Sequence, residues 1–280
     1  MNRCVMILAS IVLFTSVWGT GFAQTVVTEC GQTVEGEGYL AGDLDCTGFE
    51  GGLFGAAILL GRGGRLDLRG FTITGGKDGV ACYAPCRDNP DAGCSVPRCS
   101  IFDSVGGGVI TRAEVYGVSA WGRVDVSDIT ISNQGESGTY GGRGAGVHAD
   151  RIELHNVTIS GTDIGVWADR RAKVVSSTIT GNALDGISGH AGVYDSVVSN
   201  NGEHGVRGTS VLLRNVEVAG NGSDGVAAYE WRDRGGRIRV FDSLIVDNCA
   251  TDTTACHDIS GSFRKVGVRN TTYGTCGGCQ

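Results

Sequence analysis

The chain has 280 residues, of which 48 are glycine and only 3 are proline, and hydrophobic residues make up 41%. Glycine without a Gly-X-Y triplet excludes collagen, and this apolar content excludes a disordered chain. The formal net charge of −7 argues against nucleic acid and against an anionic membrane surface as partners.

The first 23 residues have the features of a secretory signal peptide. Arg3 precedes an apolar run from Val5 to Val17, and the small residues Gly21 and Ala23 follow it. The alternative is an N-terminal membrane anchor, for which the apolar run is short. We therefore expect cleavage of residues 1–23, no membrane association of the mature chain, and a secreted or periplasmic location.

Residues 24–64 carry short apolar runs without a clear repeat. We interpret them as an N-terminal cap and the first irregular coils of a solenoid, because a solenoid must cover its exposed end. Residues 65–80 (RLDLRGFTITGGKDGV) form its first full coil, with Leu66 and Leu68 inside and Gly70 at a corner. Further on the register is ambiguous, and either Val109 or Val118 fits the third strand of its coil.

A short sequence motif then occurs five times between Ile152 and Asn248, in copies spaced 20, 19, 20 and 27 residues apart. Within each copy apolar and polar residues alternate, which indicates half-buried strands. A small polar residue marks each change of phase, where the backbone turns a corner. Coils of this kind stack into a parallel β-helix, and their crossovers are right-handed. The corner residues are Asn156, Ser176, Asp195, Asn215 and Asp242.

Two further positions recur in these coils. A glycine followed by an aliphatic residue, as in Gly165-Val166 and Gly205-Val206, marks the third strand. Amide or hydroxyl side chains recur before it and predict a ladder of hydrogen bonds from coil to coil. The ladder residues are Thr162, Asn182, Asn201, Asn221 and Asn248.

The run GDLDC, followed by RLDLRGFTITGG and by repeated GV and GN phrases, resembles secreted bacterial β-helix proteins of the pectate-lyase-like superfamily. The resemblance covers most of the mature chain. It implies the all-β fold that the repeats also indicate, a single right-handed parallel β-helix. From the coil pattern we place this β-helix over residues 65–260 and a C-terminal cap over residues 261–280. That superfamily includes lyases, hydrolases, epimerases, metal-transfer accessory proteins and members without known activity, so the resemblance implies a fold rather than a reaction.

In β-helix enzymes the substrate lies across the outward faces of a strand stack. A lyase or epimerase acting on a uronate polymer needs a cation for the carboxylate and a base for the α-proton. The candidate catalytic residues are Glu153, His155, Lys173, Tyr194 and Arg214. The alternative is an ordinary solvated face. Two outward columns follow the first strand: Asp67, Asp125, Glu153, Lys173, Gly192, Leu212 and Arg239; and Arg69, Ser127, His155, Val175, Tyr194, Arg214 and Phe241.

Metal binding has little support in the sequence. A calcium site remains open, but no carboxylate cluster supports it and no other cofactor is evident. A column of acidic residues and histidines before the third strand could hold a divalent cation, although turns that precede glycine explain it better. This column contains Asp78, Asp185, His204, Asp224, His257 and Asp258.

Two surface features suggest ligands. The loop AYEWRDRGG places Trp231 beside Arg232 and Arg234, which suits an acidic sugar; a tryptophan packed over the core is the alternative. Threonine pairs on the second strand could bind ice, although β-branched residues favour any exposed strand. The array is Thr72, Thr74, Thr130, Ser132, Thr158, Ser160, Thr178 and Thr180.

Ten of the 11 cysteines follow the signal peptide, and an even number favours disulfides in an oxidising compartment. We expect pairing within local groups. Four of them share one insertion, where zinc is the alternative ligand. The candidates are Cys30 and Cys46; Cys82, Cys86, Cys94 and Cys99; Cys249 and Cys256; and Cys276 and Cys279.

The sequence thus favours an exported binding or structural protein that contacts polysaccharide and has no recognisable catalytic set. The alternative is a polysaccharide lyase or epimerase, and a third class is an accessory protein for metal delivery. The sequence indicates no oligomeric state.

Overall fold

The computed structural model describes residues 24–51, 55–83, 98–135, 144–229, 236–249, 257–261, 263–269 and 271–273. The predicted signal peptide therefore lies outside the described residues, as do most residues of the long insertions. In the part of the chain that the structure describes, no helix has the length and apolar character needed to cross a membrane.

The described residues form short strands joined by turns. In chain order they are β1 (Thr25–Val27), β2 (Gln32–Val34), β3 (Glu37–Leu40), β4 (Leu44–Cys46), β5 (Ile58–Leu60), β6 (Arg65–Asp67), β7 (Thr72–Gly75), β8 (Asp78–Cys82), β9 (Arg98–Phe102), β10 (Val109–Thr111), β11 (Tyr116–Ser127), β12 (Thr130–Ser132), β13 (Ala145–His155), β14 (Thr158–Ser160), β15 (Ile164–Val175), β16 (Thr178–Thr180), β17 (Ile187–Ser188), β18 (Ala191–Tyr194), β19 (Val197–Ser199), β20 (Val206–Gly208), β21 (Ser210–Arg214), β22 (Glu217–Ala219), β23 (Val226–Ala228), β24 (Gly236–Phe241), β25 (Leu244–Val246), β26 (Ile259–Gly261), β27 (Phe263–Arg269) and β28 (Thr272–Tyr273).

The strands build three parallel stacks, one for each strand of a coil. The second stack is a separate sheet of ten strands, from β4 to β28. The first and third stacks join into one 18-stranded sheet because β11, β13 and β15 each run from the third stack around a corner into the first. Every pairing between stacked strands is parallel, as the coil repeat predicts. The chain is a right-handed parallel β-helix. Strands β1 to β5 already belong to these stacks, so regular stacking begins before Arg65.

One aliphatic column from each stack fills the narrow interior. Each of these side chains is buried from solvent, and together they form one continuous core. The ambiguity between Val109 and Val118 is resolved, because Val118 pairs with Val80 and Val147 in the third stack while Val109 belongs to the second. The columns include Leu66, Ile101, Val126, Leu154, Val174, Val193, Leu213 and Val240; Ile73, Ile110, Ile131, Ile159, Ile179, Val198, Val218 and Ile245; and Val80, Val118, Val147, Val166, Ile187, Val206, Val226 and Ile259.

The predicted corner residues adopt left-handed backbone conformations. From Asn156 to Asp242 the five predicted residues have φ values between 49° and 53°. The side-chain amide of Asn156 donates to Asp128, and that of Asn215 donates to Asp195, so polar corner residues also bond from coil to coil. Asn and Asp tolerate this conformation better than branched residues do, which confirms the sequence interpretation of this column.

The buried amide ladder is also confirmed. Asn182 donates its side-chain amide to Asn201, Asn201 to Asn221, and Asn221 to Asn248, over distances of 2.7–2.9 Å. Each side-chain oxygen also accepts the backbone N–H of the residue one coil earlier, as Asn201 does from Asn182. The ladder ends on Asp258, which accepts from Asn248 at 2.8 Å.

The first coil differs from the prediction by one outward position. Arg65, not Asp67, occupies the column of Asp125, because Arg65 pairs with Ser100 and Ser100 with Asp125. Asp67 instead falls in the column of His155, through Phe102 and Ser127. The reason is a wider corner in this coil, where Arg69 and Gly70 both have positive φ and Gly70 donates to Asp103.

The structure agrees only in part with the predicted disulfide pairing within local groups of cysteines. Cys30 and Cys46 form the expected disulfide, and Cys249 is also disulfide-bonded. Cys82 and Cys99 are free thiols, contrary to the expected pairing; both are buried in the core, where they pack as small apolar side chains. Burial raises the pKa of the Cys82 thiol, which keeps it protonated. The other candidates, Cys86, Cys94, Cys256, Cys276 and Cys279, lie outside the described residues.

Candidate functional site

Basic side chains occupy the first outward position of four successive strands in the first stack. Arg98 pairs with Arg123, Arg123 with Arg151, and Arg151 with Arg171. The same position continues through His190 and Ser210 to Arg237, because Ala172 pairs with Ala191 and Ser210 with Arg237. Paired strands lie about 4.8 Å apart, so the arginines form a row along the solenoid axis.

Among the described residues, acidic side chains neutralise only one end of this row. Asp125 binds Arg98 at 2.8 Å and Arg123 at 2.8 Å, and Glu153 binds Arg123 at 2.5 Å. The hydrogen bond to Asp125 raises the pKa of Arg123 above its ordinary value. By contrast, Arg151 and Arg171 make no ion pair with any residue that the structure describes.

Two adjoining cavities lie along the row. The cavity nearer the N-terminal coils, called the lower cavity, has a volume of about 540 Å³ and is lined by Arg123, Arg151, Glu153 and Lys173. The upper cavity, of about 320 Å³, is lined by His190, Tyr194, Arg237 and Arg239. Arg170 and Arg171 line both, so the cavities form one continuous depression. We name it the arginine groove, defined by Arg123, Arg151, Arg170, Arg171, Arg237 and Arg239.

Gly192 shapes the floor of the upper cavity. A Cβ atom at this position would lie 3.2 Å from the Tyr194 ring, so glycine leaves the ring accessible from the groove. His190 lines the same cavity, and its Nε2 lies 2.5 Å from the Thr209 hydroxyl. The upper cavity therefore holds a phenol and an imidazole among arginines.

The five predicted catalytic residues lie on the outward face of the first stack, but they do not come together in one site. Glu153 and Lys173 are neighbours, as predicted, and their side chains form a 2.6 Å ion pair. With both oxygens engaged by Lys173 and Arg123, the Glu153 carboxylate is a poor candidate base.

The remaining three lie in the next outward column. His155 is separated from Tyr194 by Val175, whereas Tyr194 and Arg214 are paired. Tyr194 lines the upper cavity, but His155 and Arg214 line neither of the two cavities. The Arg214 guanidinium instead lies 5.7 Å from the centroid of the Phe241 ring.

The sequence interpretation missed the arginine row itself. A signal was present, because each arginine of the row stands immediately before the first buried residue of its segment in the first stack, as Arg151 does before Ile152 and Arg171 before Ala172. The predicted binding residues Trp231, Arg232 and Arg234 lie outside the described residues.

The acid and histidine column before the third strand forms an ion-pair ladder. His204 Nδ1 lies 2.9 Å from Asp185 Oδ1, and its Nε2 lies 3.5 Å from Asp224 Oδ2. Burial disfavours the imidazolium, but hydrogen bonds to both carboxylates outweigh it and raise the pKa of His204 to about 9. Asp185, Glu203 and His204 place potential metal-ligand atoms within 4.8 Å of one another. A histidine with both nitrogens facing carboxylates fits a protonated ring rather than a metal ligand.

The threonine array lies outward on the second stack, as predicted. Thr74, Thr111, Ser132, Ser160, Thr180 and Ser199 follow one another in register. Neighbouring hydroxyls of this column approach each other, as Thr180 and Ser199 do at 3.2 Å. Ice binding by this face stays a prediction.

No protein-family model matches the chain, and no curated protein is significantly similar to it. The periplasmic alginate epimerase AlgG matches with a TM-score of 0.50 and 14% sequence identity, over 86% of this chain and 70% of that one. The chain shares its fold. The mannuronan C-5 epimerase AlgE4 A-module of Azotobacter vinelandii matches over 86% of each chain, with a TM-score of 0.36 and 16% identity. At these identities the likeness concerns the fold alone.

Proposed function

We propose that the arginine groove binds an acidic polysaccharide that runs along the solenoid axis. The observation that carries the proposal is the row of stacked arginines, of which Arg151 and Arg171 lack acidic partners among the described residues. A polyuronate presents one carboxylate on each sugar ring, and arginine binds carboxylates through paired hydrogen bonds. From Arg98 to Arg171, successive coils offer one cation about every 4.8 Å, which suits a regular polyanion.

The energetics of the row also favour a ligand. Like charges directly opposite each other on neighbouring strands destabilise a sheet. Arg151 and Arg171 are such a pair, and no ion pair with a described residue offsets their repulsion. A bound polyanion would convert this repulsion into attraction. The chain carries a net charge of −7, so the positive potential is a local property of the groove.

The comparisons support the substrate class. The structural neighbour AlgG is named as an alginate epimerase, and alginate is a uronate polymer. We therefore take a carboxylated rather than a sulfated or neutral polymer as the first ligand to test. The predicted signal peptide would bring the protein to such polymers outside the cytoplasm.

The test is a binding titration of the mature protein with alginate and polygalacturonate oligomers, with dextran oligomers as the neutral control. We expect Arg151→Ala and Arg171→Ala each to weaken uronate binding about tenfold, which corresponds to about 1.4 kcal/mol. Arg62→Ala removes an exposed arginine elsewhere and should leave the affinity unchanged. Equal affinity for dextran, or equal loss in all three variants, would contradict the proposal.

A uronate lyase or epimerase is the second candidate function. The observation that favours it is the upper cavity, where Tyr194 and His190 line one space with Arg171 and Arg239. A base must remove the proton next to the carboxylate while a cation stabilises the charge that develops. Tyr194 and His190 are better placed for proton transfer than Glu153 or His155.

This activity has its own measurement. Lyase turnover produces unsaturated ends that absorb ultraviolet light, and epimerase turnover in D₂O introduces deuterium that NMR detects in the polymer. We expect Tyr194→Phe to abolish turnover and to retain binding, because the substitution removes only the hydroxyl. Binding without turnover of any uronate polymer would leave the groove as a binding site.

A further inference from the structure

A second cavity opens on a different face, beside the third stack. It has a volume of about 220 Å³ and is lined by three aromatic rings, those of Tyr116, Trp121 and His148. Its charged lining residues are Lys77, Asp78, Asp150 and Asp169. None of these residues belongs to the arginine groove. We propose that this cavity binds a single uncharged sugar ring, and we name it the aromatic pocket.

The strands place the lining residues by their pairing. Asp78 pairs with Tyr116, and Ser119 pairs with His148. The neighbouring strands β8, β11 and β13 therefore each place residues in the wall of the pocket. The register shifts between Ala120 and Arg123, where β11 carries Trp121 and Gly122 at the corner. The extra residue turns Trp121 outward, and 56% of it is exposed to solvent. An exposed tryptophan beside a cavity is a typical contact for a ligand.

Tilted ring contacts across three strands support two of these side chains, Tyr116 and His148. The Tyr116 and His148 rings have centroids 5.0 Å apart, and the His148 and Trp167 rings 4.8 Å apart. Burial lowers the pKa of His148, which keeps its ring neutral. Aromatic side chains have few rotatable bonds and therefore lose little conformational entropy when a ligand binds. The C–H face of a pyranose ring is apolar and flat enough to lie against such rings.

The charged groups of the pocket are three carboxylates and one ammonium, that of Lys77, so acceptors predominate. Asp78 is buried, and this burial raises its pKa to about 6, so the carboxylate is ionised at neutral pH. It already accepts the Ser119 hydroxyl and has further lone pairs to offer. Asp150 and Asp169 add two more carboxylates. Sugar hydroxyls can donate to these carboxylates, whereas the carboxylate of a uronate would meet three like charges and a single lysine.

The two sites adjoin at one corner and prefer opposite charges. The ion pair between Arg170 and Asp150, at 3.7 Å, lies between the arginine groove and the aromatic pocket. The aromatic pocket contains none of the unpaired arginines. Its preference for an uncharged sugar therefore does not depend on whether the arginine groove binds a polyuronate. The two proposals can therefore fail independently.

The test uses the whole mature protein and the methyl glycosides of glucose, galactose, mannose and N-acetylglucosamine, with methyl glucuronide as the charged counterpart. Calorimetry gives the Kd, and saturation-transfer NMR shows which ring protons contact the protein. We expect saturable binding of at least one neutral glycoside and at least tenfold weaker binding of the glucuronide.

Variants assign the site. Trp121→Ala and Asp169→Asn, both at exposed positions, should each weaken the neutral glycoside at least tenfold, while Arg171→Ala should leave its Kd unchanged. Circular dichroism confirms that the variants are folded. The proposal is overturned if no glycoside saturates, if the glucuronide binds as well as its neutral counterpart, or if Trp121→Ala has no effect.

Discussion

At the scale of single residues, His204 illustrates how the β-helix accommodates partly buried charges by pairing them from coil to coil. Its ring lies between the carboxylates of Asp185 and Asp224, one coil to either side. Asp185 is fully buried, and its second oxygen lies 3.6 Å from Arg207. Leaving one member of such a ladder without its counter-charge is costly, because a buried ion depends on its partner.

This ladder predicts a pH dependence of stability. The pKa of His204 is raised from 6.5 to about 9, so its contribution is complete below about pH 6.5 and is lost as the pH rises through about 9. The shift corresponds to at most about 3 kcal/mol. Urea unfolding at pH 6 and pH 10 measures it. His204→Gln should remove most of the difference between the two pH values, and an unchanged difference would assign it to other groups.

The amide ladder gives a second prediction at this scale. Asn201→Ala removes the oxygen that accepts both the backbone N–H and the side-chain amide of Asn182. Each buried group left without a partner costs about 1–3 kcal/mol, so we expect a loss of about 3 kcal/mol in the free energy of unfolding. Ser199→Ala, at a partly exposed position two residues away, is the control and should cost under about 1 kcal/mol.

At the scale of the element, the sequence predicts the strands and corners because both depend on local pattern. Alternation from Ile152 to Ile159 determines which side chains are buried, and a polar residue such as Asn156 marks the change of phase. The register of the first coil was not predictable in the same way. Its corner depends on a hydrogen bond from Gly70 to Asp103, more than 30 residues later, which no local pattern reveals.

The left-handed backbone of the corner residues leads to a prediction at the scale of the element. Ser176 has a φ of 49°, and its side chain is exposed. A β-branched residue is strained in this conformation, so Ser176→Val should lower the free energy of unfolding by about 1–2 kcal/mol. Ser176→Gly, which adopts positive φ freely, should change it little. Thermal unfolding of the two variants compares them directly, and equal destabilisation would point to a lost side-chain contact instead.

At the scale of the whole molecule, function depends on columns that form only when coils stack. The candidate residues Glu153, Lys173 and Tyr194 were visible in the sequence as polar outward positions. Their roles were not, because the ion pair that occupies Glu153 and the cavity that includes Tyr194 involve residues one or two coils away. The arginine row was missed for the same reason: each arginine by itself is an ordinary outward residue of a strand.

Salt dependence separates the two proposed sites in one experiment on the intact protein. Uronate binding in the arginine groove depends on charge, and raising the ionic strength from about 0.05 M to about 0.5 M shortens the range of that attraction severalfold. We expect the affinity for a uronate oligomer to fall at least tenfold, while the Kd of a neutral glycoside in the aromatic pocket stays within about twofold. Parallel titrations at both salt concentrations measure the two ligands. If both affinities fell together, binding of the neutral glycoside would depend on charge, which would contradict the uncharged contact proposed for the aromatic pocket.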